Sequence, residues 1–231
     1  MRVVAFEGNS CPVRGIGRRV LLDFDGLVLR NAKIHGVVER RSAEWIAERL
    51  HTDDMRLAET VNRDTFRKFG HSALYEGNPV VSHTLVDSYN NYVFDDELLY
   101  DIVPEMTTVE DVIRTQRIWD VGRERGLEFV LCANPPLRYV ERVLSAQGLC
   151  LDTMFPHARF TSDGLGTVKP RFEFFHEVER RMGPTTSPPH FLDDSAQNVR
   201  CASLMGWNAI EMSDLSDIID HLRTYTIDPY A

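Results

Sequence analysis

Short, unbroken apolar runs alternate with helical stripes along most of the chain. Val20-Leu21-Leu22, Phe129-Val130-Leu131-Cys132 and His190-Phe191-Leu192 are each too short for a helix and run into polar or turn residues. Apolar at successive positions, they predict buried parallel strands covered on both faces; a solvated sheet face would impose alternation instead. Between them lie patterns of period 3.6. Val109, Val112, Ile113 and the Ile118-Trp119 pair make one stripe, closed by Gly122 or Gly126. Leu137, Val140, Val143 and Leu144 make a second, closed by Gly148. Phe172, Phe175 and Val178 make a third, and Val199, Ala202 and Met205 precede Gly206. Strands alternating with helices predict an α/β fold, an open, Rossmann-like parallel sheet with right-handed crossovers.

One stretch breaks the alternation. Between Ile34 and Tyr100 no strand pattern stands out. Val38, Trp45, Ile46 and Leu50 space as one helix, and Leu57, Val61, Phe66 and Phe69 as a second closed by Gly70. A third fits Val81–Tyr92, after Pro79. This predicts a helical insert over residues 31–104, splitting the α/β core into residues 1–30 and 105–231. Val3–Phe6 reads as an added edge strand, and the run from Gly183 to Pro189 as a plain connector.

Composition narrows the partners. The 231 residues are 43% apolar and 26% charged, as in an ordinary globular chain. Lys and Arg number 26 against 35 Asp and Glu, a net charge of −9. That argues against a nucleic acid duplex or an anionic membrane surface, whose phosphates need cations. A small phosphorylated ligand, held by a few local cations or one metal ion, remains compatible. Cys11, Cys132, Cys150 and Cys201 form no CxxC pair, so neither a zinc site nor a redox motif is indicated. Three of them read as small buried hydrophobes, and a reducing, cytoplasmic setting is expected. The N-terminus lacks the apolar core of a signal peptide and no 18-residue apolar run occurs, so a soluble protein is expected. The pattern does not fix the oligomeric state; a homodimer is compatible with it.

Candidate chemistry gathers where the apolar runs stop. The first ends in Asp23-Phe24-Asp25-Gly26, two acids at i and i+2 at the carboxyl end of a buried strand, where open α/β sheets bind ligands. A calcium loop of the EF-hand type would need further oxygen donors at fixed offsets, and these are missing. The last run ends in Asp193-Asp194-Ser195. Adjacent buried acids repel unless a cation lies between them, and oxygen donors without His or Cys favour Mg²⁺ over zinc. The plainer alternative makes Asp194 or Ser195 a helix cap and leaves Asp193 in solvent. Lys169-Pro170 precedes a helical pattern, with Pro170 suited to the first helical turn. In an acid-lined crevice, Lys169 would offset charge on a carboxylate and a phosphate. Asn134, after Ala133, closes the second strand and offers an amide and nearby backbone N–H groups.

Taken as four strand ends in this order, these segments resemble the haloacid dehalogenase-like (HAD) superfamily of hydrolases, and the likeness runs from Arg19 to Met212. The helical insert resembles its type-1 cap. Ile34-His35, Phe69-Gly70, Ala133-Asn134 and FLDDSAQNV look most similar to the pyrimidine 5′-nucleotidase branch. The resemblance implies Asp23 as the nucleophile that forms an aspartyl-phosphate, and Asp25 as the general acid and then base. It implies Mg²⁺ held by the Asp23 carboxylate, the Asp25 carbonyl and Asp194, with Asp193 binding directly or through water. Lys169 would bridge Asp23 and the phosphoryl oxygens, while Ala133, Asn134 and His35 would meet the substrate. Asn62, Arg67, His71 and Tyr75 are further cap candidates for the leaving group.

Three positions depart from the family pattern. Leu27 stands where Thr is usual, Ala133 where a phosphate-binding Ser or Thr is usual, and Leu74 near a usual cap Arg. They leave Asp23, Asp25, Lys169, Asp193 and Asp194 in place, so the activity the resemblance implies is a Mg²⁺-dependent phosphomonoesterase acting on a small phosphorylated metabolite, a nucleoside 5′-monophosphate first. The alternatives are a binding or regulatory protein with little turnover and a phosphotransferase or mutase using the same aspartyl-phosphate.

Overall fold

The computed structural model describes residues 18–29, 47, 107–185 and 187–225. The expected helical insert at 31–104 and the Val3–Phe6 strand lie outside the described residues, Ala47 apart. Five strands are described: β1 (Arg19–Leu22), β2 (Glu128–Ala133), β3 (Arg159–Thr161), β4 (His190–Asp193) and β5 (Asn208–Glu211). All neighbours pair in parallel, in the order β3-β2-β1-β4-β5. The chain moves outward from β1 through β2 to β3, then returns to place β4 on the other side of β1. That reversal opens a crevice at the carboxyl ends of β1 and β4, where ligands bind in sheets of this type.

Unbroken apolarity in the strands follows from cover on both faces. Val20 and Leu22 of β1, with Phe129, Leu131 and Ala133 of β2, enter one core. That core is closed by α1 (Val109–Arg125), α2 (Leu137–Ala146), the single turn α3 (Leu151–Met154) and α7 (Leu215–Thr224). Leu21, Val130, Cys132 and Phe191 point the other way, into a core with α5 (Phe172–Met182), α6 (Ala196–Leu204) and Trp207. The single turn α4 (Ser162–Leu165) follows β3 directly.

Several details differ from the sequence expectation. Of the two glycines read as closing α1, Gly126, at φ 64°, is the one that does so. Gly122 lies inside the helix, where a Cβ would sit 2.4 Å from the Phe129 ring, so its missing side chain sets how closely α1 approaches β2. Val109 and Ile113 are exposed, and Phe172 half so; the buried face of α5 is Phe174, Phe175 and Val178. Of the described cysteines, Cys132 and Cys201 are buried, but Cys150 is exposed. The edge strands β3 and β5, and helix α7, have no counterpart in the reading of apolar runs. Both strands are short and, among the described residues, paired on one side only, and Arg159-Phe160-Thr161 and Asn208-Ala209-Ile210-Glu211 carry no continuous apolar run. Among the described residues, no helix is long and apolar enough to cross a membrane.

Candidate active site

Asp23 is the first residue after β1, and its amide donates to the Leu192 carbonyl of β4 at 2.9 Å, so the ladder holds it between the two central strands. Phe24 turns into the core and meets Tyr139 edge-on, with ring centroids 6.2 Å apart. The next turn closes on itself. The amides of Val28 and Leu29 donate to the Phe24 carbonyl at 2.9 and 3.0 Å, and that of Gly26 to Leu29 at 2.7 Å. Extended alternation around a buried Phe24 sends Asp23 and Asp25 to the same side. Leu27 is fully buried in the core, and its carbonyl accepts from the buried Arg114 Nε at 2.6 Å. The side chain at this departure from the family pattern thus packs in the core.

Gly26 has a second reason to be glycine. Its φ is 85°, and a Cβ there would lie 1.8 Å from Asp194 Oδ2. The turn after β1 therefore lets the acid after β4 approach it directly. Oxygens of Asp23, Asp193 and Asp194 come within 4.8 Å of one another. Three hard carboxylates in a cradle that a methyl group would fill suit a cation of the Mg²⁺ type. The Asp25 side chain is not in this group. Its Oδ1 accepts from the Tyr139 hydroxyl at 3.1 Å.

Lys169 is wholly buried, with Nζ 2.8 Å from Asp23 Oδ1, 2.6 Å from Asp193 Oδ2 and 5.2 Å from the centre of the Phe191 ring. It does not come from a strand end: Lys169 lies in the loop between α4 and α5. Pro170 is not in the first turn of α5 either, since the N-cap is Arg171. Asn134 fastens this loop. Its Oδ1 accepts from the Lys169 amide at 2.7 Å and its Nδ2 donates to the Lys169 carbonyl at 3.0 Å. The side chain read as a substrate contact is thus engaged with the main chain of Lys169. Ala133, the other candidate on this strand, is fully buried as the last residue of β2. His35, like the other cap candidates Asn62, Arg67, His71 and Tyr75, lies outside the described residues.

Asp193 is fully buried, not solvated. Its Oδ1 accepts from the Ser195 amide at 2.8 Å and Asn198 Nδ2 at 2.9 Å; Oδ2 accepts from Lys169 and, at 3.0 Å, from Asn198. It thus serves as the rear anchor of the lysine.

Electrostatics follow from this packing. Burial, then Asp193, push the Asp23 carboxyl well above the usual carboxylate range, with Lys169 pulling it back. Burial alone would lower the Lys169 ammonium, but Asp193 and Asp23 together hold it above its ordinary value. For Asp25, loss of solvation raises the carboxyl to about 7, against the lowering effect of the Tyr139 hydrogen bond. Burial also keeps the Cys132 thiol beneath the site protonated.

No family model and no curated protein matches this sequence. Solved structures do. A HAD phosphatase from Thermococcus onnurineus superposes with a TM-score of 0.61 at 17% identity, over 91% of this chain and 100% of that one. The chain has a HAD-like α/β fold. A HAD-hydrolase from Bacillus subtilis, in a magnesium-bound form, gives 0.54 at 17% identity over 89% and 98% of the two chains. The same HAD fold is shared by the defluorinating L-2-haloacid dehalogenase Rha0230, with 0.52 at 13% identity over 93% and 100%. Structures of this fold thus include both a phosphatase and a dehalogenase, and the likeness shows the fold, not a reaction.

Two contributors at this HAD-fold crevice were not singled out from the sequence. Asn198 lies in the FLDDSAQNV run five residues after Asp193, in the first turn of the helix that follows it. Tyr139 sits in the first turn of α2, just after the end of β2, and that position was its only signal.

Proposed function

We propose that this protein is a Mg²⁺-dependent phosphomonoesterase working through an aspartyl-phosphate on Asp23, with small phosphorylated metabolites as substrates. The observation that carries the reading is the Lys169 ammonium bonded to both Asp23 and Asp193, with Asp194 in the same cluster. These four groups bring three carboxylates to one ammonium. A divalent cation held by Asp23, Asp194 and the Asp25 carbonyl would balance that charge and, when bound, draw electron density from the phosphoryl oxygens.

The chain's own residues account for the rest. One oxygen of Asp23 attacks phosphorus while the ester P–O bond breaks, and Asp25 gives its proton to the departing alkoxide. Asp25, now ionised, takes a proton from the water that attacks the aspartyl-phosphate. Inorganic phosphate leaves and the Asp23 carboxylate returns. Lys169 keeps Asp23 in place and has an ammonium hydrogen beyond the two carboxylate bonds for a phosphoryl oxygen. Asp25 also favours phosphate over halide chemistry, because a departing halide needs no proton whereas an alkoxide does.

Nucleoside 5′-monophosphates are the first substrates to test, on the likeness of Ala133-Asn134 and FLDDSAQNV to the pyrimidine 5′-nucleotidase branch. The test is phosphate release from a panel of nucleotide and sugar monoesters, with Mg²⁺ and with EDTA, for the wild type and Asp23→Asn. Release that needs the metal and vanishes in Asp23→Asn supports the reading. No release from any ester, or release unaffected by Asp23→Asn, overturns it. Phosphate transferred to an added alcohol instead of water would mark a phosphotransferase.

A further inference from the structure

Asp25 is the residue on which departure of a poor leaving group would depend, and it sits, half-buried, in the turn after β1. A carboxyl in that setting samples several orientations unless something holds it, and misplacement by about 1 Å costs on the order of 10²-fold in rate. Tyr139 provides the hold. Its ring is fully buried in the core, packed edge-on against Phe24, the residue between Asp23 and Asp25. Its hydroxyl reaches out of that core to Asp25 Oδ1 at 3.1 Å. Near neutral pH a phenol is protonated, so it donates.

We propose that Tyr139 is the positioning residue for the proton donor: it fixes Asp25 through Oδ1 and leaves Oδ2 to hand the proton to the leaving group. The inference rests on the phosphomonoesterase reading and deepens it. It also gives the segment after β2 a single purpose. Asn134 holds the main chain of Lys169, and Tyr139, five residues later on α2, holds the side chain of Asp25. In this chain the segment that has Ala133 at the usual hydroxyl position arranges the site from behind.

The test compares two phosphate monoesters that differ in leaving group, an alkyl ester and p-nitrophenyl phosphate. Nitrophenolate departs without a proton; an alkoxide does not. The readout is kcat/KM, which covers the steps through the first departure only. Tyr139→Phe keeps the ring and removes the hydroxyl. It is expected to lower kcat/KM for the alkyl ester by about tenfold or more while changing the aryl ester by less than about threefold; for scale, tenfold corresponds to 1.4 kcal/mol of barrier. Asp25→Asn should show the same split, larger. Thermal melts set a temperature at which the variant is folded, and Tyr139→Met, also without a hydroxyl, replaces it should Phe not fold. Equal losses on both esters, or no loss on either, overturn the inference while the hydrolase reading stands. A wild type that cleaves neither ester overturns the hydrolase reading and this inference with it.

Discussion

Lys169 and Asp193 face each other at 2.6 Å, both fully buried, and Asn198 and the Ser195 amide complete the shell around the carboxylate. The pair divides the two adjacent acids by role. Asp193 anchors the lysine from behind, and Asp194 stands at the crevice beside Asp23. Replacing Asp193 by Asn puts an amide N–H₂ or a weaker acceptor against a buried ammonium. Breaking one partner of a buried pair typically costs about 3–5 kcal/mol. Asp193→Asn should therefore lower the thermal midpoint or the denaturant midpoint, measured by circular dichroism. Asp194→Asn should lower the midpoint by less than Asp193→Asn does and raise the Mg²⁺ concentration needed for half-maximal activity by roughly tenfold or more, a difference of about 1.4 kcal/mol in binding. Equal melting losses in the two variants would refute this division.

Gly26 gives a second test of the same cluster. Its φ of 85° disfavours any side chain, and a Cβ at 1.8 Å from Asp194 Oδ2 forces that carboxylate away. The conformational part of the cost is about 1–2 kcal/mol. Gly26→Ala should thus stay folded at moderate temperature and lose metal dependence and turnover together. A variant with wild-type Mg²⁺ dependence would show that Asp194 need not approach the turn.

The sheet, its strand ends and the acids on them were legible because each rests on a local signal: an unbroken apolar run, then acids. Asp23, Asp193 and Asp194 were found that way, and they do converge. Lys169 was found by its neighbours Pro170 and the following helix, but its true setting, a loop clamped by Asn134, depends on a contact across 35 residues. Such side-chain to main-chain bonds leave no periodic trace. Tyr139 was hidden for a related reason. An aromatic residue in the first turn of an amphipathic helix reads as core, and its ring is core; only the last atom of the side chain serves the site. The outer strands carry no such run: Arg159–Thr161 is three residues long with one apolar side chain, and Asn208–Glu211 is half-exposed.

Asn134 should behave as a support for Lys169, not as a binding group. Asn134→Ala removes one accepted and one donated bond, and the expected loss of stability is about 1–3 kcal/mol. Because Lys169 holds the nucleophile and meets the phosphoryl oxygens most strongly as they gain charge, its displacement should lower kcat while KM changes by less than about threefold. A rise in KM at constant kcat would return Asn134 to the substrate-binding role expected from the sequence.

Acid sensitivity is expected from the opposite end of the sheet. His190 is buried on β4, its ring nearly parallel to that of His221 of α7, with centroids 5.0 Å apart, and tilted against Tyr225 at 4.5 Å. Asn208 Nδ2 lies 2.8 Å from His190 Nδ1, and an amide N–H₂ can only donate, so Nδ1 accepts. His190 Nε2 must then carry the hydrogen and donate to His221 Nε2 at 2.8 Å. A proton added to either ring removes an acceptor from this chain. Burial, then His221, lower His190 to about 4, against about 6.5 for an unfolded histidine. The unfolded chain therefore binds the proton first as pH falls. The stabilisation is fully present above about pH 6.5 and is lost progressively between there and about pH 4, up to about 3 kcal/mol in all. Melts of the wild type from pH 7.5 to 4.5 should show this fall, and His190→Phe, which cannot take up a proton, should show a flatter curve over the same window. Parallel curves for the two proteins would mean that other groups govern the acid transition.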